Sequence, residues 1–146
     1  MIGHLPELTE DLRLAQQELR ARNASVVSVS GGTVRGVAHG EGLQPLLQLL
    51  DEGAVGAGCA VADRILGLAA AKLMVDAKVA AVWSPLGSAP AADWLTRVGV
   101  VWAMERQVPA ILRRDGRGEC PMEQMARTTD DVRAGLARLQ GSRPSA

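Results

Sequence analysis

The chain has 146 residues, 47% of them apolar, enough to bury the core of one domain and short for two. Sixteen basic residues stand against sixteen acidic ones, so no overall field favours nucleic acid, an anionic membrane or a polyanion, and a charged ligand has to be held locally. Three Trp and no Phe or Tyr leave few stacking platforms for single-stranded nucleic acid, so nucleic-acid partners are not expected.

In chain order, residues 9–22 predict a first helix, with Glu10 and Asp11 in its opening turn, Arg20 and Arg22 in its last, and Leu8, Leu12, Ala15 and Leu19 on one apolar stripe. The segments 25–30 (SVVSVS) and 33–39 (TVRGVAH) are β-branched runs joined by Gly31-Gly32, which predicts a tight hairpin. A short helix is expected over residues 43–50, with Pro45 in its first turn, followed by a flexible connection through Gly53, Gly56 and Gly58. The stretch 62–76 (ADRILGLAAAKLMVD) is apolar on almost every face and reads as one central buried helix. Residues 79–83, 90–98 and 100–104 then predict a strand, helix, strand crossover, with Gly99 stopping the helix.

Residues 110–113 predict a weak final strand, antiparallel to its neighbour and ended by the turn Asp115-Gly116-Arg117-Gly118. Cys120-Pro121-Met122-Glu123 is laid out as a helix start, and a last helix is expected over 129–140. The organisation expected is an N-terminal helix within residues 1–24, packed on an α/β domain of residues 25–140, with a disordered tail over 141–146. The opening MIGHLPELTEDLR is neither a signal peptide nor an anchor, and no stretch approaches the roughly 20 apolar residues of a membrane span. A cytoplasmic protein without a membrane partner is expected, its two cysteines, Cys59 and Cys120, free thiols rather than a secreted framework.

Three features carry potential chemistry. Asp63, at the expected start of the buried helix, reads ordinarily as a cap or dipole partner. The run GAGCAVA before it, Gly58 included, gives it a second reading, as an acceptor or base beside a closely approached ligand with Arg64 as counter-charge. Cys120, at a helix start downstream of Arg113, Arg114 and Arg117, is placed for a stabilised thiolate, against the plain reading of a small buried residue. The stretch 84–90 (SPLGSAP), with Ser84, Gly87 and Ser88, is expected as a loop at the carboxyl end of a parallel strand, a setting that suits an anion. It contains neither G-x-G-x-x-G nor a P-loop Lys. His4 and His39 are far apart with no cysteine pair nearby, so no metal site and no cofactor is expected.

With these residues in view, the chain resembles the small bacterial and archaeal family known as domain of unknown function 1893, from about Val26 to Leu139. The likeness is carried by Gly42-Leu43-Gln44-Pro45-Leu46-Leu47; by Val61-Ala62-Asp63-Arg64, Gly67 and Ala69-Ala70-Ala71; by Val108-Pro109 with Arg114-Asp115-Gly116 and Gly118; and most distinctively by Cys120-Pro121-Met122-Glu123. The resemblance implies a place in the cytidine-deaminase-like superfamily, hence a three-layer α/β/α fold with a five-stranded mixed sheet. In the zinc enzymes of that superfamily, a His or Cys and a Glu open one core helix and Cys-x-x-Cys opens the next. This chain has Val61-Ala62-Asp63 at the first place and Ser84-Pro85-Leu86-Gly87-Ser88 at the second, so three ligands are missing together and zinc-dependent deamination is not expected. Lys often stands in the family where this chain has Arg64 and Leu68; the first change keeps the charge and the second removes it.

Three functions compete on this reading. The first is a pocket for a small nucleotide-like or other anionic ligand near Asp63 and Cys120, with Gly58, Arg64, Ser84, Gly87, Ser88 and Glu123 around it. Fold likeness is most of its warrant. The second is a thiol enzyme or redox protein using Cys120, with Asp63 or Glu123 positioning a proton. The third is a non-enzymatic module, a homodimer burying residues such as Trp94 and Trp102.

Overall fold

Backbone pairing begins with the predicted hairpin. The structure, a computed structural model, describes residues 5–113 and 115–141. Helix α1 (Leu5–Ala21) leads into β1 (Val26–Ser30) and β2 (Thr33–Ala38), which pair antiparallel. Gly31 and Gly32 turn between them at φ +58° and +77°, the left-handed values that a two-residue hairpin loop of this kind requires. The buried carboxylate of Asp11 on α1 accepts both turn amides, from Gly32 N at 2.8 Å and Gly31 N at 3.1 Å, and so ties helix to hairpin.

Next come α2 (Gln44–Asp51), β3 (Ala60–Asp63), β4 (Ile65–Leu66), α3 (Leu68–Asp76), β5 (Ala81–Ser88), α4 (Ala89–Val98), β6 (Val101–Val108), α5 (Pro121–Thr128) and α6 (Val132–Gly141). The helix expected over 62–76 is thus corrected: its first third is strand and the helix starts at Leu68. Ala60, Val61, Ala62 and Leu66 are fully buried because a central strand is covered on both faces. Such a run is apolar throughout and has the composition of a buried helix. Gly67, extended at φ −98°, is the N-cap where the strand path ends and α3 begins.

β1 also pairs antiparallel with β3, while β3 and β4 run parallel to β5 and β5 parallel to β6. β3 and β4 keep one register against β5, Ala60 opposite Ala81 and Ile65 opposite Leu86, so these two strands share a lane. The six strands therefore make a mixed sheet five lanes wide, in the order β2, β1, β3 with β4, β5, β6. The sheet has six strands where five were expected, and residues 110–113 supply none of them, only an isolated bridge from Leu112 to Glu119. The stretch 84–90 is corrected as well. Residues 84–88 are strand and 89–90 begin α4; Pro85, which has no amide to give, lies opposite the Asp63–Arg64 interruption where no ladder partner is needed. The expected tail lies, from residue 142 on, outside the described residues, and Gly141 belongs to α6.

One face of the sheet packs Val27, Val29, Ala62 and Trp83 against Ala15 and Leu19 of α1. The other packs Val26, Val61, Val82 and Leu66 against the remaining helices, with α3 innermost. Ala70 on α3 is 2% exposed. Ala70→Leu should overpack this layer and cost roughly 1–3 kcal/mol, read as a lower midpoint of thermal unfolding. An unchanged midpoint would mean that α3 is not closely packed there.

Candidate functional site

The sequence-derived residues divide between the two ends of β3. Gly58, at φ +80°, donates its amide to Lys78 O at 3.1 Å just before the strand begins, whereas Asp63 ends it. Asp63 is buried at 7% exposure, and alternation along β3 places it on the face of Val61, toward α3. Burial pushes its pKa from 3.8 up to about 8, while the Ile65 amide and the charge of Arg64 pull weakly the other way. Arg64 itself reaches outward: its guanidinium donates to Asn23 O at 3.0 Å and Ala24 O at 3.1 Å.

Ser84 is fully buried inside β5, its hydroxyl donating to Leu86 O at 2.7 Å and lying 3.4 Å from Arg64 O, which brings it to the lane of Asp63. Gly87 follows in the same strand, covered by the side chain of Met104. Ser88 is the N-cap of α4 and accepts from Ala91 N at 3.2 Å. Cys120, half-buried, is the N-cap residue of α5, its amide donating to Ile111 O at 3.0 Å.

Glu123 belongs to another helix's architecture. From the first turn of α5 its carboxylate accepts from Leu68 N at 2.6 Å and Ala69 N at 3.0 Å, so it caps α3, whose own N-cap is a glycine. A Cβ on Gly67 would collide with that carboxylate, which is why the cap residue has no side chain. Burial raises the pKa of Glu123 above its ordinary value, opposed by the two amides. The same two helices are cross-linked again by Lys72 of α3, buried at 6% exposure, which donates to Ala126 O at 2.6 Å and Thr129 O at 3.1 Å at the end of α5. Lys72 is also 2.8 Å from Asp130 and 4.5 Å from the Trp94 ring centroid. Both arrangements place charge where the helix dipoles want it, anionic at a start and cationic at an end. Neither leaves Glu123 or Lys72 free for a ligand.

A concavity lies at the other end of β3. An open depression of about 590 Å³ is lined by Ser30, Arg35, Glu52, Gly53, Ala54, Gly56, Ala57 and Cys59. Its geometry starts in the hairpin: Ser28 faces Gly36 and Val29 faces Val34, so Arg35 is the extra residue of a β-bulge. A bulge re-aims the side chain it carries. Arg35 lines the depression, and its side chain enters no hydrogen bond or ion pair among the described residues.

The opposite wall is the connection from α2 to β3, held tightly. Ser28 donates to Ala54 O at 2.8 Å, and a Cβ on Gly36 would stand 2.7 Å from Ala54 Cβ, so only glycine admits the connection this close. Gly53 and Gly58 take φ +74° and +80° at its two turns. The second turn is closed by Cys59 N donating to Gly56 O at 3.2 Å, and the amides of Gly56 and Ala57 have no backbone acceptor among the described residues. Cys59, buried, is the thiol in this wall, its Sγ 3.8 Å from Ala54 O. A second, smaller concavity of about 270 Å³ between α1 and the hairpin turn has its charges already engaged, Glu10 with Arg13 and Asp11 with the turn amides.

The sequence singled out Gly58, within the run GAGCAVA, for a ligand near Asp63, read Gly53 and Gly56 chiefly as a flexible link, and passed over Arg35. Arg35 is the one charged residue between Val26 and Ala38, and that was the signal available. Among the described residues, no three His, Cys, Asp or Glu side chains cluster as a metal ion would need, and no helix is long and apolar enough to cross a membrane.

Comparison with known proteins bears on the family and the fold. The model of the family described as TM1506, domain of unknown function (DUF1893), matches residues 14–141. The crystal structure of a DUF1893 family protein, TM1506 from Thermotoga maritima at 2.70 Å resolution, superposes with a TM-score of 0.78. It is 22% identical in sequence, and the match covers 91% of this chain and 90% of that one, a likeness of fold. No curated protein matches the sequence.

Proposed function

The chain belongs to the DUF1893 family, and for this member we propose that it binds a small anionic ligand of nucleotide-like size in the depression between the hairpin and the α2 to β3 connection. The observation that carries this is Arg35, a bulged residue that lines a concavity of about 590 Å³ and whose side chain has no hydrogen-bond or ion-pair partner among the described residues. A planar guanidinium matches phosphate or carboxylate geometry in a way a point charge does not. Ser30 and the amides of Gly56 and Ala57 add donors around it, on a wall that glycines and the Ser28 bond hold fixed before a ligand arrives. Glu52 on the rim calls for hydrogen-bond donors elsewhere on the ligand, which a base or amine supplies and inorganic phosphate does not. The five-lane mixed sheet supports, within this proposal, the deaminase-like fold that the family resemblance implies.

Calorimetry with a nucleoside monophosphate as probe tests the reading. Arg35→Gln should weaken binding by at least about tenfold, as the loss of one bidentate anion contact implies, with Ser30→Ala weaker in effect. Equal affinity for wild type and Arg35→Gln would overturn it. Asp63 and Cys120 carry a second reading because Asp63 is an acid that keeps its proton at neutral pH and so could donate one to chemistry at the far end of β3. Its warrant is smaller, since neither residue lines the two concavities described above.

A further inference from the structure

β6 is the outer lane of the sheet: Val101–Val108 pairs with β5 on one side and, among the described residues, with no strand on the other. Among the described residues, the segment after β6 forms no further strand of the sheet, its one β-bridge joining Leu112 to Glu119. An eight-residue edge of backbone donors and acceptors is a template for another strand. Two of the four large apolar residues exposed among the described ones, Val98 and Val101, flank Gly99 where this edge begins.

We propose that the occupant is a second copy of this chain, with β6 paired antiparallel to β6 about a two-fold axis at Met104 so that the two sheets become one.

Strand alternation selects that register. In an antiparallel pair the opposed residues point to the same face, and a two-fold axis normal to the sheet therefore opposes odd positions to odd and even to even. Trp102 and Met104 pack toward the core on the face of α4, and Arg106 shares their parity; Val101, Ala103, Glu105 and Gln107 occupy the other face. An axis at Glu105 would set that carboxylate against its own copy, which is repulsive. An axis at Ala103 would put Arg106 opposite Val100, outside the strand.

An axis at Met104 puts Trp102 opposite the copy's Arg106, a guanidinium over an indole, and does so twice by symmetry. It also sets Ala103 opposite Glu105 and Val101 opposite Gln107, with no like charges facing. The groups concerned are already fixed within each copy. Trp102 Nε1 donates to Thr96 Oγ1 at 2.8 Å, Met104 lies over Gly87, and Glu105 is paired with Arg20 of α1. This seam is distant in the sheet order from the depression on β1 and β2, so the two proposals stand or fall separately.

Sedimentation across a concentration series, together with cysteine cross-linking, decides it. Wild type should show a reversible dimer, and Arg106→Glu should raise its dissociation constant by about tenfold through loss of both Trp contacts, with the far-UV circular dichroism unchanged. In a Cys59→Ala, Cys120→Ser background, Met104→Cys should give a disulfide-linked dimer under mild oxidation. Ala103→Cys should not, because diagonal positions stand farther apart than a disulfide spans. A wild-type monomer at every concentration, or cross-linking at position 103 as ready as at 104, would overturn the proposal.

Discussion

Lys72→Met should lower the free energy of unfolding by about 3 kcal/mol, visible as a fall of roughly 6–12 °C in thermal midpoint for a chain of this size. The loss does not come from the ion pair. Asp130 is 75% exposed at its side chain, so its attraction for Lys72 is screened by water and Asp130→Asn should cost well under about 1 kcal/mol. It comes from Ala126 O and Thr129 O, which terminate α5 and lose their donor. The Trp94 ring loses its cation at the same time. Met keeps the length of the stem, so the variant reports the ammonium rather than a cavity. If Asp130→Asn destabilises as much as Lys72→Met, the exposed ion pair is the working contact and the capping account fails.

That Lys72 holds α5 is a long-range fact with no local trace in the sequence, and it marks where sequence reasoning stops. Features governed by a few adjacent residues were legible. Gly31-Gly32 makes the hairpin turn, Gly99 closes α4 in the left-handed conformation at φ +80°, and Pro121 opens α5. Features decided by what lies on both sides of a segment were not. Residues 60–66 are as apolar as a buried helix because the sheet is covered on both faces, and only the extended break at Gly67 separates strand from helix.

The candidate site divides the same way. Glu123 was readable as an acid in the first turn of its own helix, yet its carboxylate caps α3, 55 residues earlier in the chain. Arg35 reaches the depression through a bulge, and a bulge depends on the register of the partner strand, which β2 alone does not encode. Asp63 was singled out for a helix start that does not exist. What sets it apart is burial at the end of a central strand.

The strongest pH effect should come from Asp63. Its carboxyl titrates near 3.8 in the unfolded chain and near 8 when folded, chiefly because burial disfavours the charged form. Below about pH 3.8 both states hold the proton and the group is neutral to stability. Between the two values the folded state keeps a proton that the unfolded state has released, so stability falls as pH rises through this window and levels off above about 8. At about 1.36 kcal/mol per pKa unit the full effect is bounded at about 6 kcal/mol, and water reaching the strand end reduces it. Asp63→Asn cannot ionise and keeps an oxygen for the Ile65 amide. It should therefore exceed wild type by about 2–4 kcal/mol in denaturant unfolding at pH 8 and differ by less than about 1 kcal/mol at pH 4. A difference that is the same at both pH values would show that the carboxyl is not held protonated. A gain confined to high pH would show that the chain carries a destabilising acid in its central strand, where a more stable residue fits, and such retained strain is the kind of feature that a proton-handling site requires.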